Sequence, residues 1–478
     1  MPTKFPPHEA AAGLVRAQLL TELRRQTQAD TDSADLNLPF SSFGFDSNAV
    51  LELLTRLEDN LNITIRNEEF REENLSTPAA LDRLLVSKLI ARAPAKPKYI
   101  HIAPEFLPRL SGPQREISTF CKQLGQWLDF EVYTYDLDRG LAPEDLIDGI
   151  PIKRFSVPRV TDLIRLRRRV RALSGHPGID PEKDANYALP SSGILSAIQG
   201  SSADKLITYF YHNVTSQLVT EFFPSKEWIF IPTFFQAPGG RDDNSQWWDP
   251  SRVGRFLYFQ EQDFKEALAF GIPLEKLTVM PLPIDTDRFQ PADVPRDRDT
   301  LLYVGRITAN KGIRAFLHTL KWLADRRPTI RLRLVADRDS RSRVEQLELQ
   351  RLRTAIDRLQ LNGRVELAGR KEGQELVREY SSHLIHILPS IGDCYSFATM
   401  EALACGMTCV NLDSPHYEWQ REMDEGAPLV HLCNSLPAMG EQILRLLETD
   451  DLPSHRDYMV RRFSWGVLRD GYREFFIN

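Results

Sequence analysis

Residues 384–413 read LIHILPSIGDCYSFATMEALACGMTCVNLD, and their chemistry divides them into strand, loop, helix, turn and strand. Leu384 to Leu388 are apolar apart from His386, as a buried strand requires. Pro389, Ser390, Ile391 and Gly392 interrupt the run. A helix carrying Thr399 to Ala404 is expected next, with Gly406 at a left-handed stop, and Cys409-Val410 opens another strand. A strand feeding a loop and a helix N-terminus aims free backbone N–H groups at the carboxyl edge of a sheet, where α/β proteins hold anionic ligands. Two carboxylates, Asp393 and Glu401, bracket the loop and the helix start, suited to holding the hydroxyls of a sugar and a ribose. The plain structural alternative is an acidic first turn favoured by the helix dipole.

A second motif lies upstream. Thr300 to Val304 is an apolar strand that runs into Gly305-Arg306-Ile307-Thr308-Ala309-Asn310-Lys311-Gly312, and a helix is expected from Ile313 to Arg326. Cations at a helix start are electrostatically unfavourable without an anion. Arg306 can grip two oxygens at once and Lys311 supplies a point charge, the pair that a departing diphosphate needs.

These two stretches resemble the donor-site signatures of retaining glycosyltransferases of the GT-B fold, glycosyltransferase family 4. That family has Gly-Arg, four residues, Lys-Gly, matched here at every position. It also has Pro-Ser, Glu, seven residues, Glu, then a small residue and Gly; here Asp393 stands for the first Glu. The resemblance spans about residues 98–478. It implies a nucleoside-diphosphate-sugar donor, retention of configuration, and no metal, since the Arg306/Lys311 pair takes over the metal's charge; Asp285-x-Asp287 lies in the hinge pattern between lobes and reads as turn capping. Arg306, Lys311, Asp393 and Glu401 are the expected catalytic residues, and Gly112, His212, Gly305, Cys394, Tyr395 and Ser396 the expected substrate contacts. The helix ending at Phe476 resembles the family's terminal helix that crosses back to the first lobe.

The chain begins differently. Leu14, Val15, Leu19, Leu20 and Leu23 recur at helical spacing. A Gly44-Phe45-Asp46 turn then leads into a helix capped by Asp46 or Ser47, with Val50, Leu51, Leu53, Leu54 and Leu57 as its expected buried face. A short element that includes Phe70 and a helix from Pro78 to Leu89 follow. Gly44-x-Asp46-Ser47, with Glu52-Leu53 beyond it, resembles acyl or peptidyl carrier domains over about residues 10–92. The resemblance implies that Ser47 bears 4′-phosphopantetheine, with a phosphopantetheinyl transferase and acyl-loading, polyketide or peptide assembly enzymes as partners. Asn48 stands where the family has Leu. Asp46 to Glu73 holds eight acids against three arginines, an acidic face of the kind carriers present or simply a solvated one.

Composition sets the outer limits. The 478 residues suit two or three domains, and 42% hydrophobic with 26% charged residues is globular. A net charge of −6 argues against nucleic acid as a general partner. No membrane-length apolar run occurs, and the first residues lack a signal peptide's apolar core, so a cytoplasmic location is expected. The five cysteines read as small core residues. Strand, Gly112 loop, helix and strand over residues 99–134 form one Rossmann-like unit. The arginines between Ile164 and Leu173 suit a solvated helix face, a protein-docking patch or an anionic membrane, the protein being the favoured partner.

The expected organisation is multidomain: a four-helix carrier bundle over 1–92, a Pro/Ala linker over 93–98, an α/β GT-B fold with lobes at 99–294 and 295–455, and a crossing helix over 456–478. The expected function is sugar transfer to an acceptor, either free or tethered to the carrier's arm. The alternative is a non-catalytic sugar-nucleotide-binding or scaffold protein recruited by the carrier.

Overall fold

The computed structural model of the protein describes residues 7–27, 35–61, 63–66, 69–92, 96–103, 106–107, 112–136, 140–156, 191–203, 205–209, 222–232, 251, 253–338, 343–390, 395–414 and 418–477. The arginine-rich segment 165–171 lies outside them. The chain forms two compact units, which meet in sequence between Pro97 and Lys98.

The first unit is helical: α1 (Pro7–Thr27), α2 (Ser47–Leu61), the single turn α3 (Glu72–Leu75) and α4 (Pro78–Arg92). Val15, Leu19 and Leu23 of α1 close on Leu53, Leu54 and Leu57 of α2 and on Leu81 and Leu85 of α4. Leu51 was expected in this core but is 53% exposed, and Leu14 is 51% exposed. The buried stripe of α2 runs through Leu53, Leu54, Leu57 and Leu61, and position 51 falls off that face. Phe70 is exposed, and the third element starts after it, at Glu72.

Among the described residues, the second unit holds two large sheets and a two-stranded ribbon. The first runs β3-β4-β2-β1-β5-β6-β7-β8, from β1 (Lys98–Ile102), β2 (Asp129–Tyr135), β3 (Glu144–Ile147), β4 (Ile150–Phe155), β5 (Lys205–Tyr209), β6 (Glu227–Ile231), β7 (Arg255–Tyr258) and β8 (Leu277–Val279). Its described pairings are parallel except the β3–β4 hairpin. That hairpin turns on Asp148 and Gly149, both at positive φ, as a two-residue turn between right-twisted strands demands. Helices α5 (Gly112–Leu124), α6 (Ser192–Gln199) and α7 (Glu261–Phe270) join these strands. Lys98, expected in the linker, already belongs to β1.

The second sheet is wholly parallel, in the order β11-β10-β9-β12-β13-β16. Its strands are β9 (Thr300–Val304), β10 (Arg331–Val335), β11 (Val365–Leu367), β12 (Ile385–Leu388), β13 (Thr408–Leu412) and β16 (His431–Cys433); a small β14–β15 ribbon (Met423–Asp424, Ala427–Pro428) stands apart. The helices are α8 (Ile313–Arg326), α9 (Arg343–Arg358), α10 (Gly373–Ser381), α11 (Phe397–Ala404) and α12 (Leu436–Glu448). This is the 3-2-1-4-5-6 order of doubly wound sheets, with its topological switch between β9 and β12. Buried on both faces, β9 and β12 contain no exposed residue, which is why they read as continuous apolar runs.

Two closing helices, α13 (Arg456–Phe463) and α14 (Trp465–Ile477), return to the first lobe. Phe476 packs at right angles on Tyr99 of β1, ring centroids 5.8 Å apart, and against Phe120 of α5. Tyr99 and Arg255 donate hydrogen bonds to the carbonyls of Phe476 and Phe475.

Candidate donor site and carrier serine

Both motif loops emerge at the switch point, one after β9 and one after β12. The first is tied down at several places. Gly305 N–H donates to the carbonyl of Val335 at 3.1 Å, and the Tyr303 hydroxyl donates to the carbonyl of Arg306 at 2.6 Å. Arg306 itself is exposed, with Nη1 3.9 Å from Oε1 of Glu345 on α9. Lys311 ends a 3-10 turn, Ala309–Lys311, and is half-buried. Gly312 then takes φ +70° and starts α8, whose first turn carries no acid.

The two loops are in contact. A Cβ on Gly312 would sit 1.9 Å from the carbonyl oxygen of Pro389, and the Ser390 hydroxyl donates to the carbonyl of Asn310 at 3.2 Å. Only glycine satisfies both the left-handed φ and this close approach. The Lys-Gly pair of one motif is thereby fixed against the Pro-Ser pair of the other.

Glu401 lies in α11 and is buried, its side chain 3% exposed. Oε1 accepts from Nη1 of Arg115 at 2.7 Å, and Oε2 accepts from the Tyr380 hydroxyl at 2.7 Å. Arg115 comes from the first turn of α5 in the first lobe, and Tyr380 from α10. The Glu401 charge raises the Arg115 pKa, and burial with that same charge pushes the Tyr380 phenol well up. Neither partner was found in the sequence, because Arg115 is 286 positions from Glu401 and no local spacing links them. With two partners engaged, the carboxylate keeps acceptor capacity for ligand hydroxyls.

The remaining expected contacts fall in different places. Asp393, Cys394 and His212 lie outside the described residues. Gly112 opens α5, three residues before Arg115. Ser396 is the N-cap of α11, its Oγ accepting from Thr399 N at 3.2 Å, so its hydroxyl serves the helix. Tyr395 stacks on Trp419, centroids 5.5 Å apart, and accepts from Leu282 N at 3.4 Å; burial pushes its phenol up. In the hinge, Asp285 accepts from Arg288 N at 3.1 Å, a turn cap as expected. His386, in the middle of β12, is fully buried; neither ring nitrogen has a hydrogen-bond partner among the described residues, and burial lowers its pKa to about 3, so the ring is neutral. The cysteines at 121, 405, 409 and 433 are buried and free, as core residues should be.

In the helical unit, Gly44 at φ +76° stops the turn Phe40–Phe43, and the Asp46 carboxylate caps α2 through Ala49 N at 2.8 Å. Of the two capping candidates, Asp46 takes the role. Ser47, the first residue of α2, is exposed and has no hydrogen-bond partner among the described residues, which leaves its hydroxyl open to modification.

Comparison with known proteins agrees with both halves. Residues 17–85 match the family described as phosphopantetheine attachment site, and residues 298–449 match glycosyl transferases group 1. A curated relative, "Putative colanic acid biosynthesis glycosyltransferase WcaL" of Escherichia coli, is 28% identical over 192 residues, 38% of this chain and 45% of that protein. The chain therefore matches less than half the length of that relative. Among solved structures, sucrose-phosphate synthase from Thermosynechococcus elongatus superposes with TM-score 0.59 at 17% identity, covering 80% of this chain and all of that one. HepE of Anabaena in complex with UDP and glucose gives 0.57 at 11%, covering 80% and 99%. The pneumococcal O-GlcNAc transferase GtfA with UDP and GlcNAc gives 0.56 at 12%, covering 80% and 99%. No helix among the described residues is long and apolar enough to cross a membrane.

Proposed function

We propose that this chain, a phosphopantetheine attachment domain joined to a group 1 glycosyltransferase domain in a two-lobed GT-B fold, transfers a sugar from a nucleoside diphosphate to an acceptor. The observation that carries this reading is the convergence of Arg306 and Lys311 on the switch point of the second sheet, on a loop fastened to Pro389 and Ser390. Both are cations with open surface, where a diphosphate's charge grows as the glycosidic bond breaks. Glu401 holds ribose hydroxyls, and Asp393 those of the sugar.

The anomeric carbon parts from the diphosphate oxygen as the acceptor oxygen approaches the same face. The acceptor's proton passes to the departing phosphate oxygen, and configuration is retained. The two cations stand in for a metal, so chelation leaves turnover unchanged. UDP is the first nucleotide to try, since it occupies the solved structures of HepE and GtfA. A hydrolysis and transfer screen over sugar nucleotides tests the reading; no turnover of any donor would overturn it.

The acceptor is borne by the carrier. Ser47 takes 4′-phosphopantetheine from a phosphopantetheinyl transferase, and a tethered cargo reaches a high effective concentration at a site on the same chain. Intact-protein mass spectrometry decides. A hexose-sized gain should appear on the loaded carrier and vanish in Ser47→Ala while donor hydrolysis persists. Equal glycosylation of a free acceptor by Ser47→Ala would refute tethering.

A further inference from the structure

The motif loops occupy the carboxyl edge of the second sheet. At its amino edge lies a separate cavity of about 590 Å³, within the span of small-molecule sites, roughly 300–1,000 Å³. The first residues of β9, β10 and β11 wall it (Thr300, Arg331 and Val365), together with Arg378 and Glu379 from the end of α10. One strand's length, about 16 Å, separates it from Gly305.

Its charges are unevenly committed. Arg333 is held: Nε and Nη2 donate to Glu379 at 2.6 and 2.7 Å, and Nη1 is 2.5 Å from Glu366. Arg364 donates to the carbonyls of Pro328 and Ile330. Asp297 accepts from the Thr300 hydroxyl and from the N–H groups of Asp299 and Thr300. Burial pushes its carboxyl up, but those hydrogen bonds outweigh it and hold the group below the ordinary range. The guanidinium groups of Arg331 and Arg378 have no hydrogen bond or ion pair among the described residues. Every carboxylate lining the cavity is thus engaged, and two cations are left over.

We propose that this cavity is a second ligand site, for a small phosphorylated sugar or polyol. The phosphoryl group lies between Arg331 and Arg378, with hydroxyls against Ser382 and Glu366. Occupancy is felt at the carboxyl edge through α10, because Glu379 grips Arg333 while the next residue, Tyr380, holds Glu401. Only this coupling rests on the donor reading.

The probe is ribose 5-phosphate, titrated by calorimetry into the full chain carrying Arg306→Ala and Lys311→Ala, so that the donor edge cannot account for binding. Saturable binding is expected with ribose 5-phosphate and none with ribose. Adding Arg331→Ala/Arg378→Ala, both exposed positions, should weaken it by about tenfold or more with the melting midpoint unchanged. No saturable binding, or equal binding in that variant, overturns the site. In a second arm, ribose 5-phosphate should shift the affinity of the otherwise unaltered chain for UDP, and should not in Arg331→Ala/Arg378→Ala. An unchanged UDP affinity overturns the coupling, whereas a chain that binds ribose 5-phosphate but not UDP overturns the donor reading and leaves the cavity standing.

Discussion

Nη1 of Arg115, on the helix that follows the first strand of one lobe, lies 2.7 Å from Oε1 of Glu401, on the helix that follows the fourth strand of the other lobe's doubly wound order. Glu401 is buried and Arg115 about a third exposed. Arg115→Ala leaves that carboxylate with Tyr380 alone and should cost about 3 kcal/mol, the low end for a broken buried pair. Arg115→Met combined with Glu401→Gln should recover most of it. Urea midpoints of the three proteins check this; a midpoint for Arg115→Ala equal to the unaltered chain's would refute it.

Arg306→Ala and Lys311→Ala should each reduce donor turnover at least about tenfold, the loss of one charge-assisted contact to the diphosphate being worth about 2–4 kcal/mol. Folding should be unaffected, since Arg306 is exposed and Lys311 half-buried. Steady-state kinetics beside a melting curve separates the two effects.

Gly312→Ala places a Cβ on the Pro389 carbonyl at a φ of +70°. The left-handed conformation costs about 1–2 kcal/mol and the overlap typically another 1–3. A denaturant titration should show a loss of about 3 kcal/mol, with UDP affinity falling too as Lys311 is displaced.

His386 gives a pH dependence of known sign. Its folded pKa is depressed to about 3 by burial, below the value of about 6.5 in an unfolded chain. The unfolded state therefore takes up a proton that the folded state refuses. Stability from this group is complete above the unfolded value and falls as pH drops towards the folded one, by about 1.4 kcal/mol per pH unit. His386→Phe, which strands no hydrogen-bond partner, should make the stability profile of the unaltered chain shallower by about that slope between pH ~5 and ~4.

What the sequence revealed depended on how far apart the cooperating residues lie along it. β9 and α8 were legible to the residue, because a strand buried on both faces writes a continuous apolar run and Gly312 marks the helix start. Asp46 and Ser47 were legible as a turn followed by a helix, though the caps could not be told apart without Ala49 N–H in view. Leu51 was misplaced because its spacing fits a helix face about as well as Leu54 does, and only the packing of α1 and α4 settles which side is dry. The Asp148-Gly149 hairpin had a local signal that went unread. Arg115, Tyr380 and the cavity at the amino edge had none, being assembled from segments tens to hundreds of positions apart.

Tyr99 lies in the first strand of its lobe, and Phe476 lies 377 positions later, yet the two share one aromatic cluster. A ribosome that has finished the first lobe has therefore made a body with an open wound: Tyr99, Phe120 and Phe130 face a place that α14 fills only after the whole second lobe, from β9 to α13, has been read. During that interval the helical unit can close its own core, but the first lobe cannot. A nascent chain halted before α14 should recruit hydrophobic-surface chaperones through this cluster, and a single proteolytic cut before Trp465 should strip the lobe of its seal.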